Sequence, residues 1–255
     1  MKKKLVIANW KMNLNMHESS IFLHKLSEKV KTHRAIDVIL APSIFTLQSL
    51  SIQVNHRQFK LAAQNFYWRD HGAFTGEVAI SQLRGIVQYA IVGHSERRNL
   101  FFESDKEVRA KVAAAIRNNI RPILCIGENA DERNFGETNL VLSDQLAGGL
   151  ANVSSEDIEK IVIAYEPVWA IGTGVNAKPN DIKVAARVIR NQIKELYGAE
   201  MAKKIQVVYG GSIQPESAAD YSKIDEIDGL FVGGASLSAE KFTQIIDKVY
   251  ETVKG

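Results

Sequence analysis

The sequence predicts an α/β protein, a single-domain (β/α)8 barrel of eight parallel strands. Three observations carry this. Eight short apolar runs rich in β-branched residues recur along the chain. Amphipathic segments with apolar residues at helical spacing lie between them. No Pro- or Ser-rich linker and no low-complexity tract divides residues 1–255, so one domain is expected over the whole length.

The elements follow in order. Residues 5–8 (Leu-Val-Ile-Ala) open the series, and 17–32 place Ile21, Phe22, Leu26 and Val30 on one helical face. Runs at 36–40, 59–63 and 89–92 follow, then a helical stretch at 104–119 carrying Val108, Val112, Ala115 and Ile116. The next strands are expected at 122–126 and 161–165, with a helix at 181–197 presenting Ile182, Ala185, Ile189, Ile193 and Leu196. Runs at 205–209 and 229–232 complete the set, and 239–253 close the chain as a helix with Phe242, Ile245, Ile246 and Val249 inward. Asp105, Ser154 and Asp181 stand where helix caps are expected. Continuous rather than alternating apolarity marks strands buried on both faces, as in a parallel sheet.

Eight units at an average spacing of about 32 residues suit a closed barrel better than an open doubly wound sheet, which commonly has five or six strands. The open sheet is the alternative. Neither a Gly-x-Gly-x-x-Gly after the first strand nor a Gly-x-x-x-x-Gly-Lys is present, so nucleotide cradles lack support.

Composition narrows the function classes. Apolar residues make up 45% and charged residues 24%, which excludes a disordered chain. Cys125 is the one cysteine, so no internal disulfide forms, and a reducing compartment fits. Lys and Arg number 32 against 29 Asp and Glu, a net charge of +3, with no basic stripe interleaved with aromatics; nucleic acid is not an expected partner. No apolar run approaches the roughly 20 residues of a membrane span, and Met1-Lys2-Lys3-Lys4 leads into too short an apolar stretch for a signal peptide. No membrane association and a cytoplasmic location are expected. The six histidines show no metal-ligand spacing, so no metal site is expected either.

In a parallel barrel the active site lies at the C-terminal ends of the strands. Asn9, Trp10 and Lys11 follow the first run, Gly93 to Arg98 the fourth, and Glu166 the sixth; Gly210-Gly211-Ser212 and Gly233-Gly234 follow the seventh and eighth. Each has an ordinary structural reading: a loop histidine, an ion-paired glutamate, a solvated lysine, two tight turns. Their collection at one rim favours chemistry. His94 opens a short helix, whose N-terminus disfavours a cationic imidazole. Pro167 biases Glu166 to an extended backbone at the last position of strand six, aimed at the mouth, where a carboxylate can take a proton from carbon. Lys11 offers a fixed cation, with Glu96 expected to position it or an arginine. The glycine pairs let backbone N–H groups approach a phosphate. Val168, Trp169 and Ile171 before Gly172 and Gly174 read as a lid that excludes water. Cys125 reads as a packed thiol.

The strings Asn9-Trp10-Lys11-Met12-Asn13, Gly93-His94-Ser95-Glu96-Arg97-Arg98, Tyr165-Glu166-Pro167-Val168-Trp169 with Gly172-Thr173-Gly174, Gly210-Gly211-Ser212 and Gly233-Gly234-Ala235 together resemble the triosephosphate isomerase family, in order and over the whole chain. That resemblance implies a TIM barrel and interconversion of dihydroxyacetone phosphate and D-glyceraldehyde 3-phosphate through an enediolate, a step of glycolysis and gluconeogenesis. It implies Glu166 as base, His94 as neutral electrophile, Lys11 as cation with Asn9 beside it, and Gly172, Ser212, Gly233 and Gly234 as the phosphate's backbone donors. No cofactor and no metal are implied. It also implies a homodimer, in which the loop at 64–77 inserts Thr75 beside the partner's Asn9, Lys11 and His94. Departures are local. Ala79 stands where the family has a helix-capping serine, a loss of about 1 kcal/mol unless Ser81 substitutes. The stretch Ala41-Pro42-Ser43-Ile44-Phe45 is also atypical. A sugar-phosphate epimerase barrel and a non-catalytic phosphosugar-binding barrel are the competing readings.

Overall fold

Eight strands, β1 (Lys4–Asn9), β2 (Ile36–Ala41), β3 (Phe59–Ala63), β4 (Tyr89–Val92), β5 (Arg121–Ile126), β6 (Val162–Tyr165), β7 (Gln206–Gly211) and β8 (Gly229–Val232), pair in chain order. Every pairing is parallel, and β1 closes the barrel on β8 through Leu5↔Gly229 to Ala8↔Val232. The structure is a computed structural model that describes residues 2–171 and 176–254.

The continuous apolar runs have a simple cause. Leu5 and Ile7 of β1 point into the barrel with Ile39, Ala62, Ile91, Ile123, Val162, Ala164, Val208 and Phe231. Val6 and Ala8, one residue out of phase, face the surrounding helices with Val38, Leu40, Val92, Leu124, Ile163 and Leu230. Side chains alternate at period two along a strand, so a strand walled on both sides must be apolar at every position. The same alternation carries Asn9, two residues beyond Ile7, and Glu166, two beyond Ala164, into the mouth.

The outer ring consists of α1 (Met16–Lys29), α2 (Ile44–Gln53), α3 (Ser95–Leu100), α4 (Asp105–Arg117), α5 (Ala130–Asn134), α6 (Thr138–Leu150), α7 (Pro179–Tyr197), α8 (Ala199–Lys204), α9 (Pro215–Ser222) and α10 (Ala239–Lys254). Their inner stripes are buried: Phe22, Leu23 and Leu26 on α1, Ile182, Ala185, Ile189 and Ile193 on α7. Ile21 and Leu196, expected on those stripes, lie one position off them and are exposed. Among the described residues, no helix is long and apolar enough to cross a membrane.

Helix starts differ from expectation. Ser104, not Asp105, caps α4, in a capping box with Glu107. Asp181 sits three residues into α7 and accepts the Lys178 N–H at 3.1 Å from inside the first turn. Ser154 begins no α-helix; its hydroxyl bonds Asp157 ahead of a 3-10 turn at Ile158–Lys160. Ala79 supplies no side-chain cap to the 3-10 turn Ile80–Leu83, and Ser81 does not substitute, because its hydroxyl donates to the Asp70 carbonyl. Gln82 offsets part of that loss by accepting the Ala79 N–H at 2.9 Å.

Candidate active site

Asn9, Lys11, His94, Glu166, Gly210, Phe231 and Gly233 line one small cavity at the mouth. It adjoins a larger one of about 780 Å³, bordered by Lys11, Ser95, Glu96, Ser212, Gly233, Gly234 and Lys241. The structure thus brings together every expected site residue except Gly172, which lies outside the described residues, as does Gly174 of the expected lid.

Glu166 stands one residue past the end of β6, not on its last position. Its N–H nevertheless donates to the Ile126 carbonyl at 2.8 Å, so the ladder still holds its backbone. Behind it, a Cβ on Gly127 would fall 1.7 Å from the Glu166 carbonyl oxygen, so only glycine allows this approach. Gln145 of α6 clamps that glycine, accepting its N–H at 2.8 Å and donating to its carbonyl at 3.3 Å.

His94 is the N-cap of α3, and its Nδ1 accepts the Glu96 N–H at 3.2 Å. That leaves the proton of a neutral ring on Nε2, which lies 3.0 Å from Glu166 Oε1. The Ser95 N–H donates to Glu166 Oε2 at 3.0 Å. Burial opposes the Glu166 charge, but His94, the Ser95 N–H and Lys11 together hold its carboxyl below the ordinary range. Burial likewise opposes an imidazolium at His94, while the facing Glu166 outweighs it and leaves the pKa raised.

Lys11 occupies the left-handed region at φ +53°, a conformation costing roughly 1–2 kcal/mol outside glycine. Three contacts hold it there: its N–H donates to Asn9 Oδ1 at 3.1 Å, its carbonyl accepts from Gln64 Nε2 at 2.8 Å, and its ammonium pairs with Glu96. The last is the positioning contact expected of Glu96. Cys125 is fully buried; burial foremost, then the nearby Glu166, pushes its thiol pKa up, so it is not a nucleophile.

Where the expected lid begins, Trp169 Nε1 and the Tyr165 hydroxyl both donate to Glu128 Oε1, at 2.9 and 3.1 Å. The Arg133 guanidinium lies 4.0 Å over the Trp169 ring.

Gln64, Ser95, Gln145 and Glu128 were not found from the sequence. Gln64 had a signal: it continues the inward parity of Ala62. Gln145 had none, since a helix residue 18 positions from Gly127 carries no mark of its partner.

A parallel barrel whose mouth holds a carboxylate, an imidazole and an ammonium beside two backbone-lined glycine turns belongs to the (β/α)8-barrel enzymes. Residues 4–249 match the family described as triosephosphate isomerase. The chain is 41% identical over 248 residues to a triosephosphate isomerase of Caldanaerobacter subterraneus subsp. tengcongensis, covering 97% of this chain and 100% of that one. It is 40% identical over 247 residues to that of Dictyoglomus thermophilum, and 41% identical over 247 residues to that of Fusobacterium nucleatum subsp. nucleatum; these cover 96% of this chain in both cases, and 99% and 98% of the relatives. The chain belongs to the triosephosphate isomerase family.

Proposed function

We propose that this chain interconverts dihydroxyacetone phosphate and D-glyceraldehyde 3-phosphate through an enediolate, the aldose–ketose isomerisation shared by glycolysis and gluconeogenesis. The observation that carries the assignment of roles is the 3.0 Å approach of His94 Nε2 to Glu166 Oε1 at the mouth of the barrel. Glu166 takes a proton from the carbon next to the carbonyl and returns it to the neighbouring carbon. His94 donates Nε2–H to the carbonyl oxygen and relays the hydroxyl proton between the two oxygens. Lys11, with Asn9, faces the charge that develops on those oxygens.

The resting contact explains how substrate tunes the pair. A carbonyl oxygen placed at His94 Nε2 takes the position that Glu166 Oε1 holds. Glu166 then loses the imidazole that keeps its pKa low, while its burial remains, and it becomes a stronger base. His94 loses the nearer of the two carboxylates that favour its charge, while burial, Lys11 and the Glu96 N–H on Nδ1 favour the neutral ring. The backbone of Ser212, Gly233 and Gly234 borders the larger cavity and suits the substrate phosphate; Gly172 belongs to the same proposal.

The homodimer rests on the surface. Met12 is 96% exposed, Phe45 73% and Phe74 40%, and they follow β1, β2 and β3, neighbouring sectors of the rim. The aromatics of the loop at 64–77 divide: Phe66 is buried in its own barrel and Trp68 packs partly against it, while half-buried Tyr67 stacks on Trp68 and against exposed Phe74. A two-fold pairing covers these apolar side chains and brings Thr75, exposed on its own barrel, to the partner's Lys11 and His94. The single domain over 1–255 is supported by the pairing of β1 with β8, and the cytoplasmic location by the one free cysteine. A coupled assay of the purified chain with D-glyceraldehyde 3-phosphate tests the activity: turnover supports it, and none above background overturns it.

A further inference from the structure

We propose that the end of the barrel opposite the rim carries a second anion site, a groove at the starts of β1, β2 and β3 that takes a short chain of linked phosphates. The groove has a volume of about 360 Å³, within the range of small-ligand pockets. Lys3, Lys31, Arg34, Arg57 and Lys60 line it, and Asp37 is its one acidic side chain among the described residues. Its formal charge is therefore +4, more than the +3 of the whole chain.

The basic residues are of two kinds. At the strand starts, Lys3 and Lys60 share Asp37, at 2.9 and 2.7 Å, so one carboxylate orders two ammonium groups and leaves one positive charge over. In the loops before β2 and β3, Lys31, Arg34 and Arg57 are exposed and have no ion pair among the described residues. The loop that carries Arg57 is tied down by side-chain hydrogen bonds. Gln58 Nε2 donates to the Ser27 and Val30 carbonyls at 2.8 and 2.5 Å, tying the loop before β3 to the end of α1, and Asn55 Oδ1 accepts the Arg57 N–H at 3.1 Å.

Complementing helix dipoles does not account for these cations. That effect is confined to a helix's last turn. α1 ends at Lys29 and α2 at Gln53, and Lys31, Arg34 and Arg57 all lie beyond. A basic composition is not sufficient either. A second groove at this end gathers Lys2, Arg121, Lys160, Lys203 and Lys204, but Lys2 pairs with Asp228, Lys160 with Asp157, Lys203 with Glu200 and Lys204 with Glu159. Among the described residues of the two linings, the second groove leaves Arg121 without an ion pair, against Lys31, Arg34 and Arg57 in the groove at β1–β3. Several cations around one groove suit an anion with more than one charged group, and guanidinium forks suit phosphate oxygens. Phe59, its one Phe, Tyr or Trp among the described residues, is buried, so no such ring is offered for stacking a base. His56 is the exposed ring of the lining, so it is the charge that favours an oligophosphate, and an oligonucleotide is the competing outcome of the test.

Isothermal titration of the full chain with inorganic triphosphate tests this, with the rim site saturated by the equilibrium mixture of triose phosphates. The expected result is one bound triphosphate per chain, held at least about tenfold more tightly than inorganic phosphate, a gain on the order of one extra charge-assisted contact. Arg34→Ala with Arg57→Ala, and separately the charge reversal Arg34→Glu, should weaken it by about tenfold or more, with isomerase kcat and KM unchanged. Lys203→Ala with Lys204→Ala should leave it intact. Absence of binding, loss of binding on saturating the rim, equal loss in the Lys203 and Lys204 variant, or displacement of triphosphate by a single-stranded oligonucleotide that binds more tightly would each overturn the proposal.

Discussion

Nε2 of His94 and Oε1 of Glu166 lie 3.0 Å apart at the floor of the mouth, with Glu166 only 3% exposed and His94 6%. The proposed base and electrophile therefore hold each other at rest, and substrate must come between them. The contact helps hold the Glu166 pKa down at rest, and in the proposed mechanism substrate relieves it by breaking the contact.

Glu166→Gln preserves the shape, but its single amide oxygen can accept from His94 or from the Ser95 N–H, not from both, and an amide does not take up the proton. Its kcat should fall by roughly 10²–10⁴ or more, with the circular dichroism spectrum unchanged. A variant with wild-type kcat would remove Glu166 from the mechanism.

Glu103 sets an acid limit on stability. Burial works against its charge, but Lys111 at 2.7 Å and Arg97 hold its carboxyl below the ordinary value of 4.5. A lowered folded-state pKa means that the contribution is complete above about 4.5 and is lost as pH falls further, through the folded value. Glu103→Gln leaves the buried Lys111 ammonium without its charge partner and should cost about 3–5 kcal/mol at neutral pH. Urea midpoints across pH should show the variant less stable at pH 7 and less steeply dependent on pH below 4.5 than the wild type. Parallel curves would contradict this.

Gln145→Ala removes both contacts to Gly127, the residue packed against the Glu166 backbone. Unpaired, those groups should cost about 1–3 kcal/mol of stability. Small displacements of a reacting group are expensive, so kcat should fall about tenfold or more while KM stays near wild type. A rise in KM alone would place Gln145 outside the positioning of Glu166.

If the proposed interface forms, Thr75→Arg should give monomers of low activity, because burying a cation there is costly. Light scattering at micromolar concentration should find the wild type dimeric. A monomeric wild type, or a fully active monomeric variant, would show that the loop at 64–77 does not interlock.

Much of the barrel was legible because a strand walled on both faces writes an unbroken apolar run, and eight such runs stand in the chain. The position of Glu166 was legible for a related reason: inward parity from Val162 and Ala164 reaches it, and Pro167 keeps it extended. Long-range polar contacts were not legible. Nothing in α6 marks Gln145 as the clamp on Gly127, and nothing in Glu103 tells its buried pairing with Lys111 from a solvated helix-start acid. Capping misled at Asp105, where Ser104, one residue earlier, offers a hydroxyl in reach of the Glu107 N–H. At Ser81 a tertiary bond to Asp70 won over the local cap.

The central claim is proton transfer by one base through an enediolate, and isomerisation of D-glyceraldehyde 3-phosphate in D2O tests it most directly. A carboxylate that holds the abstracted proton exchanges it with solvent in some turnovers. Nuclear magnetic resonance of the dihydroxyacetone phosphate formed should therefore find a fraction carrying a single deuterium on the carbon that bears the new C–H bond. Product formed at an enzymatic rate with no deuterium on that carbon at any stage, as a direct hydride shift would give, would contradict the account.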